Sequence, residues 1–257
     1  YCENDYVCWS APLFDLSDWK YEGVIFRHTD HIKDECHKKA EKNGRYYLFA
    51  PDVIQGRNGR FYMYYSIADS SIISVAVCDT PAGHYTYLGD VVYPDGQILG
   101  EAAGEYFQFD PSIFIDDDGQ AYMYWGNPNL YYVKLNEDMI SLKGGVGKLE
   151  QTVESFGAPN PEKRVKGVKY KDTYTEGPWL HKREGKYYLL YAAGGVPEHI
   201  AYSMSDGPLG PWKYMGEIMP LQDTGSFTNH CGVIDYKGNS YFFYHTGKLP
   251  GGGGFGR

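Results

Sequence analysis

Four segments of this chain repeat one pattern: a short apolar strand, a tight turn closing on glycine, and a second strand crowded with aromatic residues. They are APDVIQGRNGRFYMYY (50–65), FDPSIFIDDDGQAYMYW (109–125), TEGPWLHKREGKYYLLY (175–191) and NHCGVIDYKGNSYFFYH (229–245). Their turn glycines, Gly59, Gly119, Gly185 and Gly238, are 60, 66 and 53 residues apart. A period of that size points to repeated sheets packed side by side.

A second element recurs between these hairpins, as SAPLFDLSDWKYEGVIF (10–26), SVAVCDTPAGHYTYLGDVV (74–92) and IAYSMSDGPLGPWKYMGEIM (200–219), with a degenerate copy at 133–149. It supplies an outer strand pair to each unit. Second strands such as Phe61–Tyr65 and Tyr187–Tyr191 are apolar on both faces, as a sheet sandwiched between two neighbours requires. The expected fold is therefore all-β, a five-bladed β-propeller with incomplete first and last blades. Its single domain, 1–257, divides into the outer half of blade 1 (1–26), blade 2 (46–92), blade 3 (106–149), blade 4 (174–219) and the inner half of blade 5 (229–257). Assigning both halves to one blade would give four. The charged stretch Lys33–Asn43 reads as a short helix or loop insertion.

A formal charge of −9, with no block of Lys or Arg, argues against a nucleic-acid surface. Five cysteines, mostly far apart, suggest neither a disulfide framework nor a metal site. No apolar run is long enough for a membrane helix, and no signal peptide opens the chain. Asp116–Gly119 lacks the downstream ligands of a calcium loop and reads as a turn. Gly251–Gly254 has no Lys-Ser/Thr after it and is no phosphate loop. His181, His199 and His245 have no paired ligand spacing, and Trp9, Trp19 and Trp212 read as blade packing.

Inner strands of a propeller begin near its axis, so Asp52, Asp110, Glu176 and the Asn229–His230 pair are expected to converge there. Asp52 alone reads equally well as a turn former capping backbone amides. Glu is a poor turn former, and like carboxylates sharing a channel hold protons more tightly, as a general acid needs.

Taken in this order and spacing, the APD, FDPSIFIDDDGQAYMYWG, TEGPWLHKREGKYYLLYA and NHCGVIDYKGNSYFFYHTGKLPGGGGF segments resemble glycoside hydrolase family 43. These are five-bladed propellers that remove arabinose or xylose from plant polysaccharides. The resemblance implies that Glu176 is the general acid, that Asp110 is the family's pKa-modulating aspartate, and that His230 is a channel histidine beside a bound calcium or water cluster. It implies that Arg257 grips the sugar and that Phe49 forms an aromatic wall for it. Asp52, Trp125 and Trp179 are further substrate-contact candidates. The family inverts the anomeric centre, which requires acid and base carboxyls about 6.5–9.5 Å apart.

No motif matches the family's general base. Asp52 to Gly89 and Glu176 to Gly216 span 37 and 40 residues, and counting back as far from Gly23 places that base before Tyr1. The expectation is a fragment that lacks its base and residues at both ends; Asp5 and Asp15 read as surface acids. The implied enzyme is an exo-acting, inverting arabinofuranosidase or xylosidase acting on arabinoxylan, with no required cofactor and with room for a structural calcium. A secreted or periplasmic location is expected. A β-fructosidase-like propeller hydrolase would show Arg-Asp-Pro and Glu-Cys where this chain has Phe109-Asp110-Pro111 and Glu176-Gly177. A non-catalytic sugar-binding or scaffold propeller would lack the axial acids.

Overall fold

The computed structural model describes residues 5–31, 37, 40–41, 46–101, 109–160, 171–222 and 226–246. Most of the segment Lys33–Asn43 and all of Gly251–Arg257 lie outside them. The described chain forms sixteen strands and one helical turn, α1 (Val153–Phe156). Five antiparallel sheets follow one another in sequence. The first pairs β1 (Tyr6–Ser10) with β2 (Lys20–Phe26). The second runs β3 (Leu48–Gln55), β4 (Phe61–Ile67), β5 (Ile73–Cys78) and β6 (Thr86–Asp90) in order. The third runs β7 (Ser112–Ile115), β8 (Ala121–Trp125), β9 (Tyr131–Leu135) and β10 (Gly147–Lys148), and the fourth β11 (Tyr174–Arg183), β12 (Lys186–Ala193), β13 (His199–Ser205) and β14 (Lys213–Met219). The fifth pairs β15 (Cys231–Tyr236) with β16 (Asn239–Tyr244). The two-stranded sheets stay separate, so the count is five blades and not four.

Each hairpin closes as its sequence dictates. Gly59, Gly119, Gly185 and Gly238 adopt φ of 82°, 82°, 73° and 82°, a region closed to most L residues. Asp116–Gly119 is a turn, with Gly119 N donating to Asp116 O at 2.8 Å.

The core explains the all-apolar second strands. Successive side chains point to opposite faces of a strand. Tyr62 and Tyr64 pack with Met123 and Trp125 between the second and third sheets, while Met63 and Tyr65 pack with Phe26 between the first and second. Tyr122 and Tyr124 meet Leu189 and Tyr191 between the third and fourth sheets, and Leu190 meets Cys231 between the fourth and fifth. Trp212 joins the third-to-fourth cluster, whereas Trp9 and Trp19 are about half-exposed at 53% and 47% and do not serve as blade packing.

One polar strap joins the third and fourth sheets at their hairpin ends. Asp116 Oδ1 takes a 2.6 Å contact from Lys182 Nζ, and its Oδ2 accepts from Tyr187 OH at 2.6 Å.

Candidate active site

The first strands of three successive sheets carry a proline at the same corner: Pro51, Pro111 and Pro178. The residue before each, Ala50, Asp110 and Gly177, has positive φ (24°, 56° and 59°). Register shifts at Phe49/Asp52 and at Glu176/Trp179 mark the same corner as a bulge. Bulges re-aim side chains. Relative to the proline, Glu176 stands two residues before, Asp110 one before and Asp52 one after. The three acids therefore do not share one position, as alignment on the acids implies; they converge from three points around one repeated corner.

Glu176 is held through both oxygens. Asn127 Nδ2 donates to Oε2 at 2.6 Å, and Oε1 lies 3.2 Å from His230 Nε2. Tyr174 anchors the Asn127 loop by donating to Gly126 O at 2.7 Å. The same His230 nitrogen lies 3.8 Å from Asp110 Oδ2. Gly177 makes this possible: a β-carbon there would come within 2.9 Å of the His230 ring.

Asp110 is buried, and neither of its oxygens has a hydrogen-bond partner among the described residues or an accessible surface. Burial pushes its pKa up to about 7, with the charge of Glu176 adding and the imidazole of His230 opposing. Burial works against a charged His230, but Asp110 and Glu176 outweigh it and raise its pKa to about 9. An imidazolium is thus favoured among these carboxyls at neutral pH, and Asp110 holds its proton more tightly than an ordinary carboxyl. His245 is the counterpart: burial first, then the charge of His230, push it down to about 4, so it stays neutral and accepts from His230 N at 3.4 Å.

A cavity of about 210 Å³ opens over the cluster, with Asp52, Asp110, Gly177, Trp179, His230 and His245 in its wall. A larger one of about 690 Å³ shares Asp52 and Trp179 and continues along the axis to Asp117, Glu184 and Asp235 at the hairpin ends.

The other candidates sort cleanly. Trp179 lines the cavity, its ring nitrogen donating to Val233 O at 3.3 Å. Phe49 adjoins the Ala50–Pro51 wall, edge-on to Phe109. Asp52 lines the cavity but is spent structurally, its Oδ2 accepting from Ile113 N on the third sheet at 2.7 Å; burial raises its pKa to about 6. Trp125 is not brought to the site: it is fully buried between the second and third sheets, because β8 alternation turns it the same way as Met123. Asp5 caps His28 N at 2.9 Å, and Asp15 is spent on Ser17 in an exposed turn. Arg257 lies outside the described residues.

Asp110, Glu176 and His230 offer ligand atoms within 4.8 Å of one another. Calcium takes six to eight oxygen ligands. Two carboxylates and an imidazole already bonded to one of them do not fit that ion by themselves, and the imidazolium supplies the local positive charge.

Three polar residues at the site carry no sequence motif. Asn127 and His245 are two. The third is Glu198, buried in the connection after β12, whose Oε2 accepts from Asn229 N at 2.8 Å. Its only sequence signal is a charge flanked by Pro197 and His199 between two apolar strands.

Comparison with known proteins points to one family. The model of the family described as glycosyl hydrolases family 43 matches residues 4–257. A xylosidase/arabinosidase of Thermoclostridium stercorarium is 35% identical over 95% of this chain, and the chain spans about half of that relative, 53% of its length. An arabinoxylan arabinofuranohydrolase of Paenibacillus polymyxa is 30% identical over 77% of the chain and 32% of its own length. Among solved structures, an alpha-L-arabinofuranosidase from Clostridium thermocellum superposes with a TM-score of 0.69 at 30% identity, covering 96% of this chain and 72% of the other. A Xanthomonas citri family enzyme complexed with xylotriose superposes at 0.72 and 25% identity, covering 99% and 76%.

Proposed function

The chain belongs to glycosyl hydrolase family 43, and on that premise we propose that it is an exo-acting, inverting glycosidase that releases arabinofuranosyl or xylosyl units from arabinoxylan. The observation that carries this reading is the fixing of Glu176 through both oxygens, by Asn127 and His230, beside a buried Asp110. A carboxyl so restrained presents its proton in one direction, which is what protonating a departing glycosidic oxygen demands. The names of the relatives support both sugars.

Asp110 acts on Glu176 and not on the sugar. Its oxygens have no accessible surface, so it can neither attack the anomeric carbon nor activate a water. Through His230 it holds positive charge against Glu176, which favours donation of the Glu176 proton as the bond breaks. Inversion also needs a carboxylate to deprotonate water. Asp52 is not placed for that, because it is bonded to Ile113 N. Trp179 supplies an aromatic face for the sugar ring. The 210 Å³ cavity is smaller than the roughly 300–1,000 Å³ typical of drug-sized ligands, which favours taking a single terminal sugar.

The test compares Glu176→Gln with the unaltered residue, both in the chain extended by its upstream coding sequence so that a general base is supplied, on xylo- and arabinoxylo-oligosaccharides and on aryl α-L-arabinofuranosides and β-D-xylosides. Loss of a general acid costs about 10²–10⁴-fold on a poor leaving group, and less on an acidic phenol that departs unassisted. Equal losses on both leaving groups, or none, would overturn the assignment.

A further inference from the structure

Glu198 lies where two loops meet. Its backbone amide donates to Phe227 O at 3.1 Å, and its side-chain Oε2 accepts from Asn229 N at 2.8 Å. One residue therefore closes both ends of the Phe227–Asn229 stretch that leads into His230. The side chain is 3% exposed, and its Oε1 has no hydrogen-bond partner among the described residues. A lone backbone amide does not need so costly an acceptor, since a buried polar oxygen without a partner is destabilising.

The charges that bear on Glu198 are those of the site: Glu176 on β11, Asp110 at the corner before β7, and His230 before β15. On the reading that Glu176 is the proton donor, we propose that Glu198 is a positioning residue: by clamping Phe227–Asn229 it fixes the imidazole of His230 between Glu176 and Asp110. Burial, reinforced by the charge of Glu176 and opposed by His230, raises the Glu198 pKa well above the usual carboxyl range. Glutamine is then a close substitute, since its amide oxygen can still accept from Asn229 N.

The test compares Glu198→Ala and Glu198→Gln in the full chain. With Glu198→Ala, kcat on an aryl glycoside is expected to fall about 10–100-fold while KM stays within about 3-fold, the mark of a displaced group that does not bind substrate. Glu198→Gln is expected to restore kcat to within about 3-fold. An NMR titration of the His230 imidazole reads the same clamp without any turnover. Its midpoint, about 9 in the unaltered chain, should drop in Glu198→Ala and hold in Glu198→Gln. No drop in either variant overturns the proposal, and so does an equal drop in both, which would make the effect one of charge. Should Glu198→Ala not fold, hydrogen exchange at the Asn229 amide decides: protection in the unaltered chain and in Glu198→Gln supports the clamp, and exchange at the rate of an open loop overturns it. A Glu176→Gln variant with full activity would instead strike down the proton-donor reading, leaving the titration to judge the clamp alone.

Discussion

Gly177 lies so close under the imidazole of His230 that a β-carbon on it would stand 2.9 Å from Cδ2 and 3.0 Å from Nε2. The glycine after the acid is thus a steric requirement of the histidine that grips the acid.

Gly177→Ala should therefore damage activity more than stability. The new methyl group meets a ring, and at φ 59° it also places an alanine in left-handed backbone, worth about 1–2 kcal/mol. The expected result is a fall in unfolding free energy of that order with a loss of turnover of about 100-fold, from displacement of His230. Denaturant unfolding and steady-state kinetics on the same preparation separate the two.

Stability should fall as pH rises. His230 holds its proton to about 9 against an ordinary 6.5, so its contribution is complete below about pH 6.5 and is lost as pH rises through about 9. Asp110, held at about 7 against 3.8, runs the same way: its contribution is complete below about 3.8 and is lost as pH rises through about 7. Below about pH 6.5 His245, held down at about 4, runs the other way, so calorimetry should show the declining Tm between about pH 6.5 and 9, and His230→Asn should flatten it.

Asp110 carries an opposed pair of demands. Its carboxyl is buried beside Glu176 and His230, and its backbone sits at φ 56°. Asp110→Gly should be more stable than Asp110→Ala by about 1 kcal/mol, because only glycine accepts that backbone freely. Both variants should lose most activity. Chemical denaturation of the two variants checks the difference; equal stabilities would show that the left-handed corner relaxes.

The two inner-pair tryptophans should fail in different ways. Trp125→Ala opens a cavity between sheets and should cost about 3–5 kcal/mol of stability. Trp179→Ala should leave the fold largely intact and raise KM about 2–10-fold, the worth of an aromatic contact. Unfolding curves and KM values for the pair discriminate the roles.

The blades were legible because each second strand buries both faces, which leaves unbroken aromatic runs such as Phe61–Tyr65 between turn glycines. Glu176 and Asp110 were legible because a repeated corner places them beside prolines. The misjudged tryptophan shows the limit of that reasoning: Trp125 is on an inner strand, but whether it faces the axis or a neighbouring sheet follows from the two-residue alternation with Met123. Asn127 and Glu198 were not singled out and His245, though within the fourth repeat, was set aside, because they sit at strand ends and in connections without periodicity. What brings Asn127 to Glu176, 49 residues on, is the packing of one sheet on the next.

The strap at Asp116 bears on chemistry at the other end of the molecule. Asp110 stands just ahead of β7 and Glu176 near the start of β11, while the strap joins Asp116, just past the end of β7, to Lys182 near the end of β11. The two strands resemble the arms of a pair of tongs pinned at the handle: the salt link ties together the same two strands whose far ends carry the carboxyls.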